Sequence, residues 1–512
     1  MNKFKLLRNT GLLSFKGISA LIASIRTNGI SLMALSGYSA QRYPERRAVQ
    51  DENQSLSYQQ LYQQSRAVAG LLMTQHQVAS GRQVAIICRN HASLLKTLFA
   101  SSATGADICL INSEISSQQL AALIHRRQFH LIIHDPELFP VIQQAGYHGQ
   151  CLPVSHHSAP SIESYSQMSV RPMGKITYGP GKIVVLTGGT SGEFKSAVRK
   201  PSLFAFINPL MALLDKLKLH QYRSLYIATP IYHGFGLATL CIATLLGSTI
   251  YLTRRFEAQQ AAELINQQQI EVVTLVPLML SRMLHRYPTR LTSLHCIISG
   301  GAALPPTLVS ETQTLLGKRL FNLYGTSEAG VCTIATPDDL ASATDTIGLP
   351  IDGLTLCLRD VSTGQLITGD NTVGLLQVQC SWAAQQTDDL VTTGDLAFRD
   401  TNGYYFLSGR SDDMIVSGGE NIYPIELEKV LAENPLVREC VVMGIEDKEF
   451  GQRLKAFVVS QSDGEIDTQA LIQWLKPRVA RYQMPVSIEL IEEIPLTAVG
   501  KPDTRKLNNL SC

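Results

Sequence analysis

Residues 84–111 read VAIICRNHASLLKTLFASSATGADICLI: an apolar run at 84–88, a helix-length stretch at 91–103, and a second apolar run at 108–111. A strand buried on both faces is apolar throughout, so this texture predicts a covered sheet with helices between its strands. The apolar runs recur at 131–134, 183–186, 225–228, 249–252, 272–275, 295–298 and 320–323, with helical stretches at 237–246, 258–269 and 306–316. Alternation of this length predicts an α/β fold. After Gly330 the strands become shorter and more polar, as at 374–379 and 404–407, which predicts a β-rich subdomain. From 413 onward a helix at 424–433, strands at 440–444 and 455–459 and a helix at 468–480 predict a small, mobile α+β domain. The polar segment 409–413 between them reads as a hinge. The expected division is 1–411 and 412–512. The chain shows no internal repeat and no low-complexity tract.

The 512 residues carry a net charge of only +2, so no overall field favours nucleic acid. Apolar residues make up 45%, which excludes disorder for the bulk of the chain. The ten cysteines contain no CxxC or CxxH pair, and they read as buried thiols in a reducing cytoplasm. Residues 1–8 are basic and 11–25 apolar, but Lys16 interrupts the run, so neither a secretory signal nor a membrane span is expected. An ordinary packing helix is the first expectation. Peripheral membrane contact through Lys3, Lys5, Arg8, Lys16 and Arg26 on an apolar helix is the alternative, leaving a cytoplasmic protein with a membrane-facing arm as the second.

Five segments carry chemistry. In LTGGTSGEFKSA (186–197), glycines let backbone N–H groups approach a polyphosphate, hydroxyls add donors, and Lys195 adds charge. A Walker A loop does not fit, because Phe194 replaces the glycine before the lysine and Pro201 breaks the helix that must follow. NLYGTSEAG (322–330) follows a predicted strand at the end where open α/β sheets bind ligands. There Tyr324 can stack on a base, Thr326 can bind phosphate oxygen, and Glu328 is a hard donor suited to Mg2+. In TTGDLAFRD (392–400), Asp395 can accept from two ribose hydroxyls, and Arg410 of GRSDDMIVSGGENIYPIELE (409–428) offers a planar fork to ribose or phosphate. IPLTAVGKPDTRK (494–506) places Lys501 in a polar loop, where a lone lysine is usually solvated.

In this order, and with PIYHGFG (230–236) and SGGAAL (299–304), these segments resemble the adenylate-forming superfamily of acyl-CoA synthetases, peptide adenylation domains and firefly luciferase. The resemblance runs from about residue 40 to the C-terminus. It implies an enzyme that joins a carboxylic acid to ATP as an acyl adenylate with Mg2+, then passes the acyl group to a thiol. By that resemblance Thr187, Gly188, Gly189, Thr190, Ser191, Gly192 and Lys195 hold the phosphates, and Glu328 positions the metal. Tyr324, Gly325 and the Gly301-Ala302-Ala303 backbone face the adenine, while Asp395 and Arg410 fix the ribose. Lys501, Thr326 and His233 join Glu328 around the reacting groups, His233 bordering the acyl pocket. Asp412 matches a hinge about which the small domain turns between the two steps, and Ser417, Gly418 and Gly419 would then line the pantetheine tunnel.

Three features depart from the pattern: Phe194 and Ser196 stand where proline and glycine are usual, the segment 381–389 lacks the usual Gly-Tyr-Trp, and Pro502 follows the lysine. The helix-forming stretch 235–246 is rich in Gly, Ala and Leu, which implies an apolar, roomy acid pocket. A medium or long fatty acid is the expected substrate, as in the bacterial fatty-acyl-CoA ligases, with coenzyme A as acceptor. The alternatives are an aromatic acid of the cinnamate or benzoate kind, a carrier-protein phosphopantetheine as acceptor, and, last, a non-catalytic binder.

Overall fold

The computed structural model describes residues 6–8, 10–156, 159–168, 181–188, 194–199, 206–382, 390–417, 420–447, 450–461, 466–497 and 500–510. The predicted α/β alternation folds into two sheets. One runs edge to edge Gln150–Pro153, Leu131–His134, Gln83–Ile87, Asp107–Leu110, Ile183–Gly188 and Phe194–Arg199, all parallel except the last. The other has 14 strands. Its parallel part contains Arg47–Gln50, Thr249–Tyr251, Ser224–Ile227, Val272–Leu275, Cys296–Gly300 and Leu320–Thr326. It continues through antiparallel strands, from Gly330–Ala335 to Leu366–Ile367, which form the β-rich part.

Because side chains alternate across a strand, each sheet feeds two cores. Val84 and Ile86 of the first sheet and Leu225 and Ile227 of the second share one apolar cluster with the helices between them. Ala92–Ala103 lies in that middle layer with every residue buried, Ser93, Lys96, Thr97, Ser101 and Ser102 included. The outward-facing Ala85 and Ile87 pack under Leu120 and Leu123, and Val273 and Leu275 pack under Met279, Leu280 and Leu308. The result is a layered large domain. A small C-terminal domain follows, in which Val437–Asp447, Gly451–Ser460 and Ser487–Leu490 make a sheet covered by Pro424–Ala432 and Thr468–Leu475.

Three expectations need correction. The helix expected over 468–480 ends at Leu475, because Pro477 has no N–H to donate. The loop expected after 186 is flanked by a second strand, with Thr187 opposite Lys195 and Gly188 opposite Phe194. Gly409 and Arg410 are not linker: they end the strand Tyr405–Arg410, where Arg410 is in register with Asp395. Pro201 lies outside the described residues. The nine described cysteines are all free, five of them buried.

Candidate functional site

Asp395 is the centre of the site. It sits mid-strand in Val391–Arg399, only 9% exposed, directly across from Arg410. Gly394 before it has φ +83°, a conformation side chains rarely adopt, and a Cβ there would lie 3.1 Å from Arg410 Nη2. Tyr324 OH donates to Asp395 Oδ2 at 2.5 Å, and Arg410 Nη1 donates to Oδ1 at 3.1 Å. The other edge of the guanidinium grips Asp412, with Nε to Oδ1 at 2.8 Å and Nη2 to Oδ2 at 2.9 Å. Burial pushes the Asp395 carboxyl above the usual carboxylate range, against the lowering effect of the Tyr324 hydrogen bond and the Arg410 charge. Burial and the neighbouring Asp395 charge push the Tyr324 phenol up.

Lys501 is brought here by the small domain. Thr497 N donates to Lys501 O at 2.8 Å, and Gly500 N donates to Thr497 O at 2.9 Å. Gly500 has φ +75°, and a Cβ on it would meet Val276 Cγ2 at 2.5 Å and Met279 Cε at 2.8 Å. The loop thus rests on the start of the large-domain helix Pro277–Arg286. Lys501 keeps one side open to solvent. Its walls nevertheless withdraw enough water to pull its amine below the ordinary lysine range; the Arg410 charge adds to this, and Asp395 and Asp413 oppose it. Burial, reinforced by the Lys501 charge, depresses His233 to about 4. His233 is therefore a neutral imidazole at physiological pH, and its buried Nε2 has no partner among the described residues.

Glu328 and Thr326 lie on the tight hairpin joining Leu320–Thr326 to Gly330–Ala335. A Cβ at Gly325 would lie 2.2 Å from Gly330 O, so only glycine allows the two strands to approach this closely. Thr326 Oγ1 accepts from Ala329 N at 3.0 Å, which fixes the tip. The half-buried Glu328 carboxylate makes no ion pair with any described residue. Gly301, with φ +80°, turns the chain at the end of Cys296–Gly300 and leaves Ala302 and Ala303 exposed. Thr187, Gly188 and Lys195 lie at the facing ends of their two strands, while Gly189, Thr190, Ser191 and Gly192 fall outside the described residues, as do Gly418 and Gly419. Ser417 is buried in the small-domain sheet opposite Gly451.

Two contacts escaped the sequence reading. Asn90 donates Nδ2 to Thr229 O at 3.0 Å and accepts Ile231 N at 2.9 Å, holding the loop that presents His233. Arg282 reaches across to the small domain, with Nη2 donating to Ile494 O at 2.7 Å and Nη1 lying 2.5 Å from Glu493 Oε1. No local pattern marks either residue.

Two other clusters are not the site. Cys88, His91 and Asp135 come close enough to hold a metal. However, His91 Nδ1 already accepts Leu94 N, which leaves Nε2 to carry the proton it donates to Asp135 at 2.7 Å. Both ring nitrogens are thereby occupied, and Arg254 balances Asp135 at 3.1 Å. A cavity of about 520 Å³ surrounds Lys96. That amine, pulled down to about 8 by burial, is 1% exposed and donates to Gln54, Gln64 and Ser166, so the walls satisfy one another.

The model of the AMP-binding enzyme family matches residues 38–384, and that of its C-terminal domain matches residues 426–501. The chain belongs to the AMP-binding enzyme family, and it is an adenylate-forming enzyme. It is similar to the 2-succinylbenzoate–CoA ligase of Bacillus licheniformis, 27% identical over 91% of this chain and 98% of that protein. It is similar, too, to the indoleacetate–CoA ligase of Aromatoleum aromaticum, 28% identical over 92% and 95%. The fold matches that of an anthranilate CoA ligase in complex with anthranoyl-AMP, with a TM-score of 0.82 at 20% identity over 94% and 97% of the two chains. These three proteins are named for aromatic acids, and the expected fatty acid, with a place in lipid metabolism, finds no counterpart in them.

Proposed function

We propose that the protein is an ATP-dependent, AMP-forming ligase that joins an aromatic carboxylic acid to coenzyme A. The observation that carries this reading is the meeting of Lys501 from the small domain with Asp395 and Arg410 of the large one, in a protein whose named relatives are aryl-CoA ligases. Asp395 keeps lone pairs for the ribose hydroxyls, and Arg410 holds its carboxylate in line. The Tyr324 ring and the exposed turn after Gly301 border the base. Lys501 offers positive charge where the acid carboxylate meets the α-phosphate, the point at which negative charge develops in the transition state. Glu328 would hold Mg2+, which supplies neutralisation of phosphate charge. The acyl group then leaves AMP for the CoA thiol.

The acid pocket is read from the uncharged helix Gly234–Leu246. At its first turn Phe235 packs toward Gly300, where a Cβ would lie 2.9 Å from Leu323 O and 3.4 to 3.6 Å from the Phe235 ring, so glycine lets the ring approach the strand end. An aromatic acid would find an uncharged wall here, with the Phe235 ring and the neutral His233 beside it. The same reading divides the chain at 411/412, with Asp412 as the hinge.

The test is acid-dependent pyrophosphate release across aromatic, fatty and amino acids, with and without CoA, in the native chain and in Lys501→Ala. Release with an aromatic acid, CoA-dependent AMP, and loss of release in Lys501→Ala is the expected result. Release with fatty acids alone overturns the aromatic assignment; release without a CoA product overturns the acceptor.

A further inference from the structure

The N-terminal arm is folded with its apolar side outward. In the helix Phe15–Asn28 the buried residues are Gly17, Ala20, Ser24 and Asn28, all small or polar. Ser24 and Asn28 face the helix Leu32–Arg42, with Ser24 Oγ donating to Ala34 O at 2.7 Å and Asn28 Nδ2 donating back to Ser24 O of its own helix at 3.1 Å, while Gly17 packs on the carbonyls of Gly11 and Leu12. A Cβ at Gly37 would lie 2.5 Å from Ser24 Oγ, so the two helices meet through a close, small-residue seam. Leu21 and Ile25 are half-buried, but three large apolar side chains point away from it: Phe15 is 88% exposed, Ile18 43% and Ile22 45%. Their spacing of three and four residues makes one stripe, and the exposed Arg26 continues it four residues on, with Lys16 at its flank. A helix held in place by its polar side has no folding reason to present Phe and Ile to water.

The charge of the arm is one-sided. Residues 1–44 contain six Lys and Arg and no Asp or Glu, although the whole chain is nearly neutral. The family match begins at residue 38, so the arm helix lies outside the matched residues. No helix of the described residues is long and apolar enough to cross a membrane. We infer that the face Phe15, Ile18, Ile22, Lys16 and Arg26 docks on an anionic lipid surface, the apolar stripe entering the acyl boundary and the basic residues meeting the headgroups. An interfacial helix has this combination of apolar stripe and basic flank. A second copy of the chain is the poorer occupant, since pairing the stripes sets Lys16 and Arg26 near their own counterparts.

Flotation of the full chain with phosphatidylglycerol–phosphatidylcholine vesicles tests this, against phosphatidylcholine alone and across a salt series. The native chain should float with the anionic vesicles and release at high salt. Phe15→Ser/Ile18→Ser/Ile22→Ser and, separately, Lys16→Glu/Arg26→Glu should each weaken binding about tenfold or more. All five residues are exposed and outside the site, so acid-dependent pyrophosphate release without vesicles should be unchanged in both variants. The salt series on the native chain stands even if a variant misfolds. No flotation of the native chain, equal flotation with neutral vesicles, or undiminished binding by the triple variant overturns the inference. So does a native oligomer that the triple variant dissociates in the absence of lipid.

Discussion

Arg282 of the large domain and Glu493 of the small domain lie 2.5 Å apart, and the same guanidinium takes the carbonyl of Ile494 at 2.7 Å. Glu439, nearly buried, faces it at 3.9 Å. This grip lies seven residues before Lys501, so it positions that lysine without touching substrate. Arg282→Gln should lower the adenylation rate about tenfold, as for loss of a partly buried charged hydrogen bond, with the KM for ATP little changed. In a Lys501→Ala background the same substitution should cost nothing further, because a residue acting through Lys501 has nothing left to act on. Additive losses in that double-mutant cycle would count against the positioning role.

Gly500 is the other half of the docking. Gly500→Ala adds a Cβ into Val276 and Met279 and strains a left-handed backbone. Adenylation should fall at least about tenfold, while thioester formation from a supplied acyl adenylate should be largely spared. Equal loss in both half-reactions would show that the loop matters beyond placing the lysine.

Tyr324→Phe removes the hydrogen bond that helps hold the Asp395 carboxyl down. That carboxyl is already raised by burial, and its proposed role at the ribose needs it ionised. The KM for ATP should therefore rise about tenfold, and its increase on acidification should begin at a higher pH than in the native chain. A pH profile of kcat/KM for ATP decides this; an unmoved acid limb speaks against the role of Asp395.

Glu428 is half-buried in the small domain, its carboxylate accepts Val442 N at 2.8 Å, and withdrawal from water pushes it up to about 7, with the Asp413 charge adding to this. A carboxyl raised in the folded state binds more protons there than in the unfolded chain. Its contribution favours folding at low pH and fades as pH rises toward 7. Glu428→Gln keeps the hydrogen bond and removes the charge, so it should stabilise the small domain by about 2 kcal/mol at pH 8 and change little at pH 5. Denaturant unfolding at the two pH values measures it.

Much of the fold was legible because buried strands are written as apolar runs: 131–134 and 272–275 appear as strands over those same residues. The strand leading to Glu328 and the polar loop carrying Lys501 were legible; the hairpin that turns Glu328 back into the sheet was not. Nor was the arm. Its apolar stretch suggested inward packing, and the structure turns Phe15, Ile18 and Ile22 outward, because Ser24 and Asn28 meet Gly37 in a helix contact closer than Phe or Ile would allow.

The sequence by itself determined the layered α/β class, the small final domain and the inventory of groups able to handle a nucleotide, since all of these depend on local periodicity and residue chemistry. Only the tertiary structure decided which of those groups meet. Tyr324 and Asp395 are 71 residues apart, and Arg282 and Ile494 are 212 apart. Such pairs depend on strand register and on how one domain seats against another, and no short stretch of chain encodes either.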